Sequence, residues 1–301
     1  MYLLPKLGAP YQKILTKHEA NKRIMKLRPG FSVILASSKT RLLTLSRYPG
    51  ELLIDIITPI VFALIPILIG KASAGSGAET IFARNTGTEN YISYMLIGSC
   101  IFSIVFFAFW NVAYWLRSEM ETGTIEALYL SPSHRIWVAG GISLYSLIRS
   151  IFSAAIAYIL GSFLFGVNPF QGNIVLALLF IIIGIIPLYG MTLIFGAMVL
   201  RVKQANTLVN LMQWIVSFLM GVFFPIAMLP AFLRVLALLF PPTWMNIGAR
   251  ASILGIEYFF TEWYLDLAVL WGFTIFAPLF GYWAFRSAEN KIRSNEGVGT
   301  F

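Results

Sequence analysis

Charge is what this chain has least of. Only 12% of its 301 residues are Asp, Glu, Lys or Arg, while 58% are hydrophobic and the mean hydropathy is +0.78. A soluble domain carries about 25% charged residues, and half that fraction leaves too little polar surface to clothe a globule in water. The membrane class follows before any motif is read. Cysteine is nearly missing too. Cys100 stands alone, which excludes an intramolecular disulfide and leaves the redox compartment unreadable. It lies in an apolar run, where a small buried hydrophobe is expected rather than a reactive thiol. The two histidines, His18 and His134, have no companions at metal-ligand spacing. The basic N-terminus shows no early apolar core with a small-residue cleavage site, so no cleavable signal peptide is expected.

What is present is long apolar runs. A bilayer core of about 30 Å needs about 20 apolar residues in helix. Six runs qualify: residues 52–69, 91–116, two within the charge-free stretch 150–200, then 204–233 and 267–285. The stretch GVNPFQGN at 166–173 is a turn signal that divides the third span from the fourth. Closed barrels would show short alternating segments instead, so an all-α integral membrane protein is expected. Eight Trp, 13 Tyr and 25 Phe suit aromatic belts at the interfaces.

Lys and Arg set the orientation. With six spans both termini share a side, and that side carries seventeen Lys or Arg against four on the other, Arg149 aside. The rich side is expected to be cytosolic. Residues 1–50 then form a basic cytosolic segment, 51–286 the membrane domain and 287–301 a cytosolic tail. Within the first segment Phe31, Ile34, Leu35, Leu42 and Leu45 approximate one helical stripe, with Lys39, Arg41 and Arg47 off it. That pattern fits a helix lying in the headgroup plane or one packed in the cytosol. The tract before it, Lys6 to Arg28, is basic enough to be drawn to anionic lipid.

Polar residues inside the spans narrow the reading. Asp55 and Arg149 stand near span ends, where a mutual pair or headgroup contact is expected. Asn206, Asn210, Gln213 and Ser217 recur at steps of four, three and four in span five, so they share one helix face, which Gly221 continues. Unsatisfied amides do not face lipid. The face either glues helices together or lines a pathway. Span two offers Ser99, Ser103 and Asn111 among Phe102, Phe106, Phe107 and Trp110. Beyond span five, prolines at 225, 230, 241 and 242 break the helix, and 232–239 is too short to cross. A short helix that dips into the outer leaflet and returns is expected there.

Between spans two and three the chain turns acidic: RSEMETGTIEALYLSPSHR, residues 117–135. An acidic residue, Gly-Thr, Glu and Ser-Pro follow in order as Glu121, Gly123, Thr124, Glu126, Ser131 and Pro132, with Glu119 just ahead. Phe224, Pro225, Leu229, Pro230, Pro241 and Arg250 form an outer pattern. Six spans with these two motifs resemble the membrane subunit of ATP-binding-cassette exporters of the second type, from about residue 30 to 286. The resemblance implies that Glu119, Glu121, Gly123, Thr124, Glu126, Ser131 and Pro132 form a coupling helix that docks on a separate ATP-binding subunit. It implies a pathway face of Asn206, Asn210, Gln213, Ser217, Ser103 and Phe107, and an outer gate at Pro225, Pro230 and Pro241. No G-x-x-x-x-G-K-[ST] run occurs, since IGKAS at 69–73 lacks the upstream Gly and a hydroxyl after Lys. The chain is therefore expected to be no enzyme and to bind no cofactor. ATP and magnesium belong to the partner subunit.

The implied assembly is two permeases with two ATPases, the permease a homodimer among membrane lipids with no nucleic acid. The implied setting is the cytoplasmic membrane of a prokaryote. The expected cargo is hydrophobic or amphipathic: a drug, natural product or lipid-like molecule. A polysaccharide or lipid-linked glycan exporter of the same family is the alternative. A secondary transporter lacks support, because no central ionisable relay and no inverted repeat is apparent. A membrane scaffold that anchors an ATPase is a third, non-transport reading.

Overall fold

The computed structural model describes residues 29–47, 50–74, 82–83, 86–88, 90–121, 135–199 and 205–295. The described chain is nearly all helical: α1 Pro29–Arg47, α2 Gly50–Ala74, α3 Tyr91–Glu121, α4 Arg135–Phe165, α5 Ile174–Val199, α6 Ala205–Leu219, α7 Ala231–Leu238, α8 Pro241–Leu254 and α9 Trp263–Asn295, with a 3-10 turn at Ile226–Met228. Five helices are long and apolar enough to cross a membrane, and α7 with α8 makes a sixth if that pair, bent by 90°, counts as one broken span. The last helix continues past residue 286, where the tail was expected to begin, as far as Asn295.

Helices in lipid gain little from the hydrophobic effect on pairing, so close packing and polar contacts must hold them. Small residues make the close approaches. α1 lies against the start of α4, where a Cβ on Gly141 would come within 2.6 Å of the Ile34 carbonyl oxygen and 2.9 Å of Ser37 Cβ. Ser38, itself buried, donates its hydroxyl to the Gly141 carbonyl at 2.7 Å. α5 and α9 cross with Gly190 against the backbone of Ala277 and Gly281. The turn between α4 and α5 has the predicted chemistry: Gly166 and Gly172 take positive φ, and Asn173 caps α5 by accepting the Leu176 amide at 3.0 Å.

The hub is α3. Its apolar stretch is 89% buried, against 39% or less for the other four candidate spans. It packs on α2, α4, α5, α6 and α8. Leu53, Ile57, Val61, Ile65 and Leu68 of α2 and Ile275, Phe276, Leu279 and Trp283 of α9 point away from the bundle. Apolar faces this extensive belong in hydrocarbon rather than water.

The fifth predicted span differs. Residues 204–233 were expected as one helix, but α6 stops at Leu219. At about 1.5 Å per residue its 15 described residues reach about 22 Å, against about 30 Å for a bilayer core. Gly221 takes φ +59°, a turn that a β-carbon would disfavour, and Pro225 and Pro230 then cap the 3-10 turn and α7. The short helix expected at 232–239 is present as α7. α8 follows it after a bend of 90°, with Pro241 and Pro242 in its first turn.

Candidate functional site

A helix that ends inside a membrane leaves carbonyls without partners, and each must be satisfied by protein or water. Four consecutive carbonyls at the α6 break are satisfied by one face of α8. Thr243 Oγ1 donates to Leu219 O at 3.2 Å and Asn246 Nδ2 to Met220 O at 2.8 Å. Arg250 donates Nη1 to Gly221 O at 2.7 Å and Nη2 to Val222 O. Residues 243, 246 and 250 are spaced three and four apart, so one stripe delivers all three donors. Arg250 also donates Nε to Tyr94 O at 3.2 Å and lies 3.8 Å over the Tyr94 ring. It is 3% exposed and pairs with no carboxylate among the described residues. Its charge is met by carbonyl dipoles at a helix C-terminus and by a ring face. Trp244 Nε1 donates to Leu238 O at 2.8 Å, which fixes the bend between α7 and α8.

Toward the other end of α3 lies a second charged cluster. Arg149 of α4 donates Nε to Asp55 Oδ2 at 2.5 Å, and Nη1 to Glu51 Oε2 at 2.8 Å and to the Tyr145 hydroxyl at 3.3 Å. The pairing of Asp55 with Arg149 is thus realised, and Glu51 and Tyr145 join it. A buried pair is stable only when its remaining valences are filled, and Glu51 and Tyr145 supply that. The cluster forms one wall of a cavity of about 350 Å³ bounded by α1, α2, α3 and α4.

The predicted site residues divide. Gln213 is half-buried in a crevice with Phe102, Phe106, Phe109, Phe195 and Val216. Ser217 is buried and donates to its own helix at Trp214 O, 2.9 Å away. Asn210 is exposed, while the Asn206 side chain lies outside the described residues. Ser103 is buried and bonded to Cys100 O at 2.7 Å, and Phe107 lines the Arg149 cavity. The crevice thus joins Gln213 to Phe102, Phe106 and Phe109, while Ser217, Ser103 and Phe107 are not among the residues that line it. Glu119 and Glu121 occupy the last turn of α3, their side chains outside the described residues. Gly123, Thr124, Glu126, Ser131 and Pro132 also lie outside them. Pro225, Pro230 and Pro241 stand at the starts of the 3-10 turn, α7 and α8.

Sequence reasoning missed Thr243 and Asn246. Their spacing with Arg250 in an otherwise apolar helix was the available signal. Glu51 was missed because it lies at the edge of the first apolar run.

Residues 32–254 match the family described as ABC-2 type transporter. The chain belongs to that family. The match runs from inside α1 to the last residue of α8, so it takes in most of α1, the acidic loop, the α6 break and its α8 clamp, and leaves α9 outside. ABC-2 permeases are membrane subunits of transporters and generally work with a separate ATP-binding subunit. A comparison with curated proteins returns no match.

Proposed function

We propose that this ABC-2 permease is the membrane half of an ATP-driven exporter for a hydrophobic or amphipathic molecule. A separate ATPase subunit drives it through the acidic segment 117–133. The observation that carries the reading is the company that segment keeps. It joins α3, which ends at Glu121, to α4, which begins at Arg135, and α1 is bonded to α4 only six residues further on, at Gly141. A soluble motor that grips the acidic segment would therefore push on α1, α3 and α4 together.

The basic excess on this end of the bundle favours a cytosolic orientation for it, with both termini inside and the chain in the cytoplasmic membrane of a prokaryote. Two copies related by a two-fold axis would set the two α6 helices across the pathway from each other, with the exposed Asn210 toward it and Gln213 behind, against Phe102 and Phe106. Nucleotide binding would shift an equilibrium between two packings of these helices. The proline-broken segment at Pro225, Pro230 and Pro241 would form the outer rim.

The test is reconstitution in vesicles with and without the cognate ATPase. Export of an amphipathic reporter that requires the ATPase and hydrolysable ATP supports the proposal. Flux that persists without the ATPase refutes it.

A further inference from the structure

We propose that the cavity between α1, α2, α3 and α4 binds the headgroup of a zwitterionic phospholipid, its phosphate on Arg41 and its ammonium on Glu51. The volume, about 350 Å³, falls in the range of about 300–1,000 Å³ typical of small-molecule sites. Its walls are unusual for a membrane bundle. Two guanidiniums and two carboxylates line it, Arg41, Arg149, Glu51 and Asp55, beside the rings of Trp110 and Tyr114.

The four charges are not equivalent. Arg149 is consumed by Asp55 and Glu51. Arg41, on the helix expected to lie in the headgroup plane, makes no hydrogen bond or ion pair among the described residues. Glu51 gives one oxygen to Arg149 and keeps the other, its side chain 58% exposed. One open cation and one open carboxylate thus face a single cavity. A ligand carrying only an anion would satisfy Arg41 and meet repulsion from Glu51. A ligand carrying only an ammonium would meet the reverse. A head with both groups satisfies both, and the aromatic faces of Trp110 and Tyr114 add attraction for the ammonium.

An apolar tail has a path out. Ile54 lines the cavity and is exposed, and Ile57 and Val61 continue that exposed face along α2. The site is independent of the export reading, because binding is measured on the permease alone.

The experiment uses the full-length permease, stripped of lipid in detergent and titrated with phosphatidylethanolamine or phosphatidylglycerol of identical chains. Bound lipid is counted by native mass spectrometry. The wild-type chain should bind phosphatidylethanolamine about tenfold more tightly, the worth of one charge-assisted hydrogen bond. Arg41→Gln should weaken phosphatidylethanolamine about tenfold, and Glu51→Gln should abolish the preference between the two lipids. Equal wild-type affinity for both lipids overturns the proposal, and that comparison needs no variant. Displacement of phosphatidylethanolamine by millimolar inorganic phosphate also overturns it, since the site would then be one for a free anion.

Discussion

Arg250 holds together the break that makes this permease more than a stack of rods. Replacing it with Leu keeps the volume roughly constant and removes the donors. Gly221 O and Val222 O then lose their partner, and each buried orphan costs about 1–3 kcal/mol. Removing the guanidinium also abolishes the expense of burying a charge, which offsets part of the loss. A net destabilisation of about 3 kcal/mol is expected. For a chain of this size that is about 6 °C in the thermal midpoint, read from the fluorescence of its eight tryptophans in detergent. Lys should lose about half as much, since it reaches a carbonyl but lacks the planar fork. Gly98 supplies the control. A Cβ there would collide with Arg250 Nη2 and stand 2.5 Å from Val222 O. Gly98→Ala should therefore harm the wild type more than the Arg250→Leu variant, with a coupling of at least about 1 kcal/mol. A Leu variant as stable as wild type, or strictly additive effects, would refute the clamp.

Arg149→Met should destabilise by about 3–5 kcal/mol, because Asp55, 5% exposed, is left buried without the partner that offsets its desolvation. Adding Asp55→Asn should restore about half of that in the same thermal assay, and no recovery would mean that packing dominates at Arg149. Glu121→Arg with Glu126→Arg should leave insertion intact and lower transport-coupled ATP turnover about tenfold or more, since two charge contacts reverse sign. Normal coupled turnover in the purified double variant excludes these two residues from coupling. Asn210→Leu and Gln213→Leu should alter transport more than folded yield, and Gln213→Leu the more strongly, as it sits against Phe102 and Phe106. Loss confined to yield would assign the stripe to helix packing.

The spans were legible because a bilayer leaves no alternative to helix, and apolar length alone reveals one. The prolines at 225, 230 and 241 announced a broken outer segment for an equally local reason. The stop at Leu219 was not legible. Nothing near it forbids helix; Gly221 merely permits the turn. What makes the stop tolerable lies 24 to 31 residues on, in Thr243, Asn246 and Arg250. Likewise Asp55 and Arg149, 94 residues apart, were candidates for pairing that only packing could join. Local pattern shows where a backbone is able to break, and long-range donors decide where it does.

The two arginines occupy the two ends of one rod. Arg250 meets α3 at Tyr94 and Gly98, and the Arg149 cavity meets it from Phe107 to Trp115. From Gly98 to Trp115 is about 25 Å at 1.5 Å per residue. α3 is continuous over that length, with no proline, and it is the most buried of the candidate spans. A buried rod of this kind does not bend cheaply, because close packing resists deformation. Displacement of α1 and α4 at the Arg149 end must therefore reach the α6 break as a movement of α3 as a whole. The carbonyl clamp is the natural place for it to be taken up: α6 is held there by four hydrogen bonds to side chains and not by a continuous backbone helix. Side-chain donors can exchange carbonyl partners at modest cost, whereas an intact helix can only unwind.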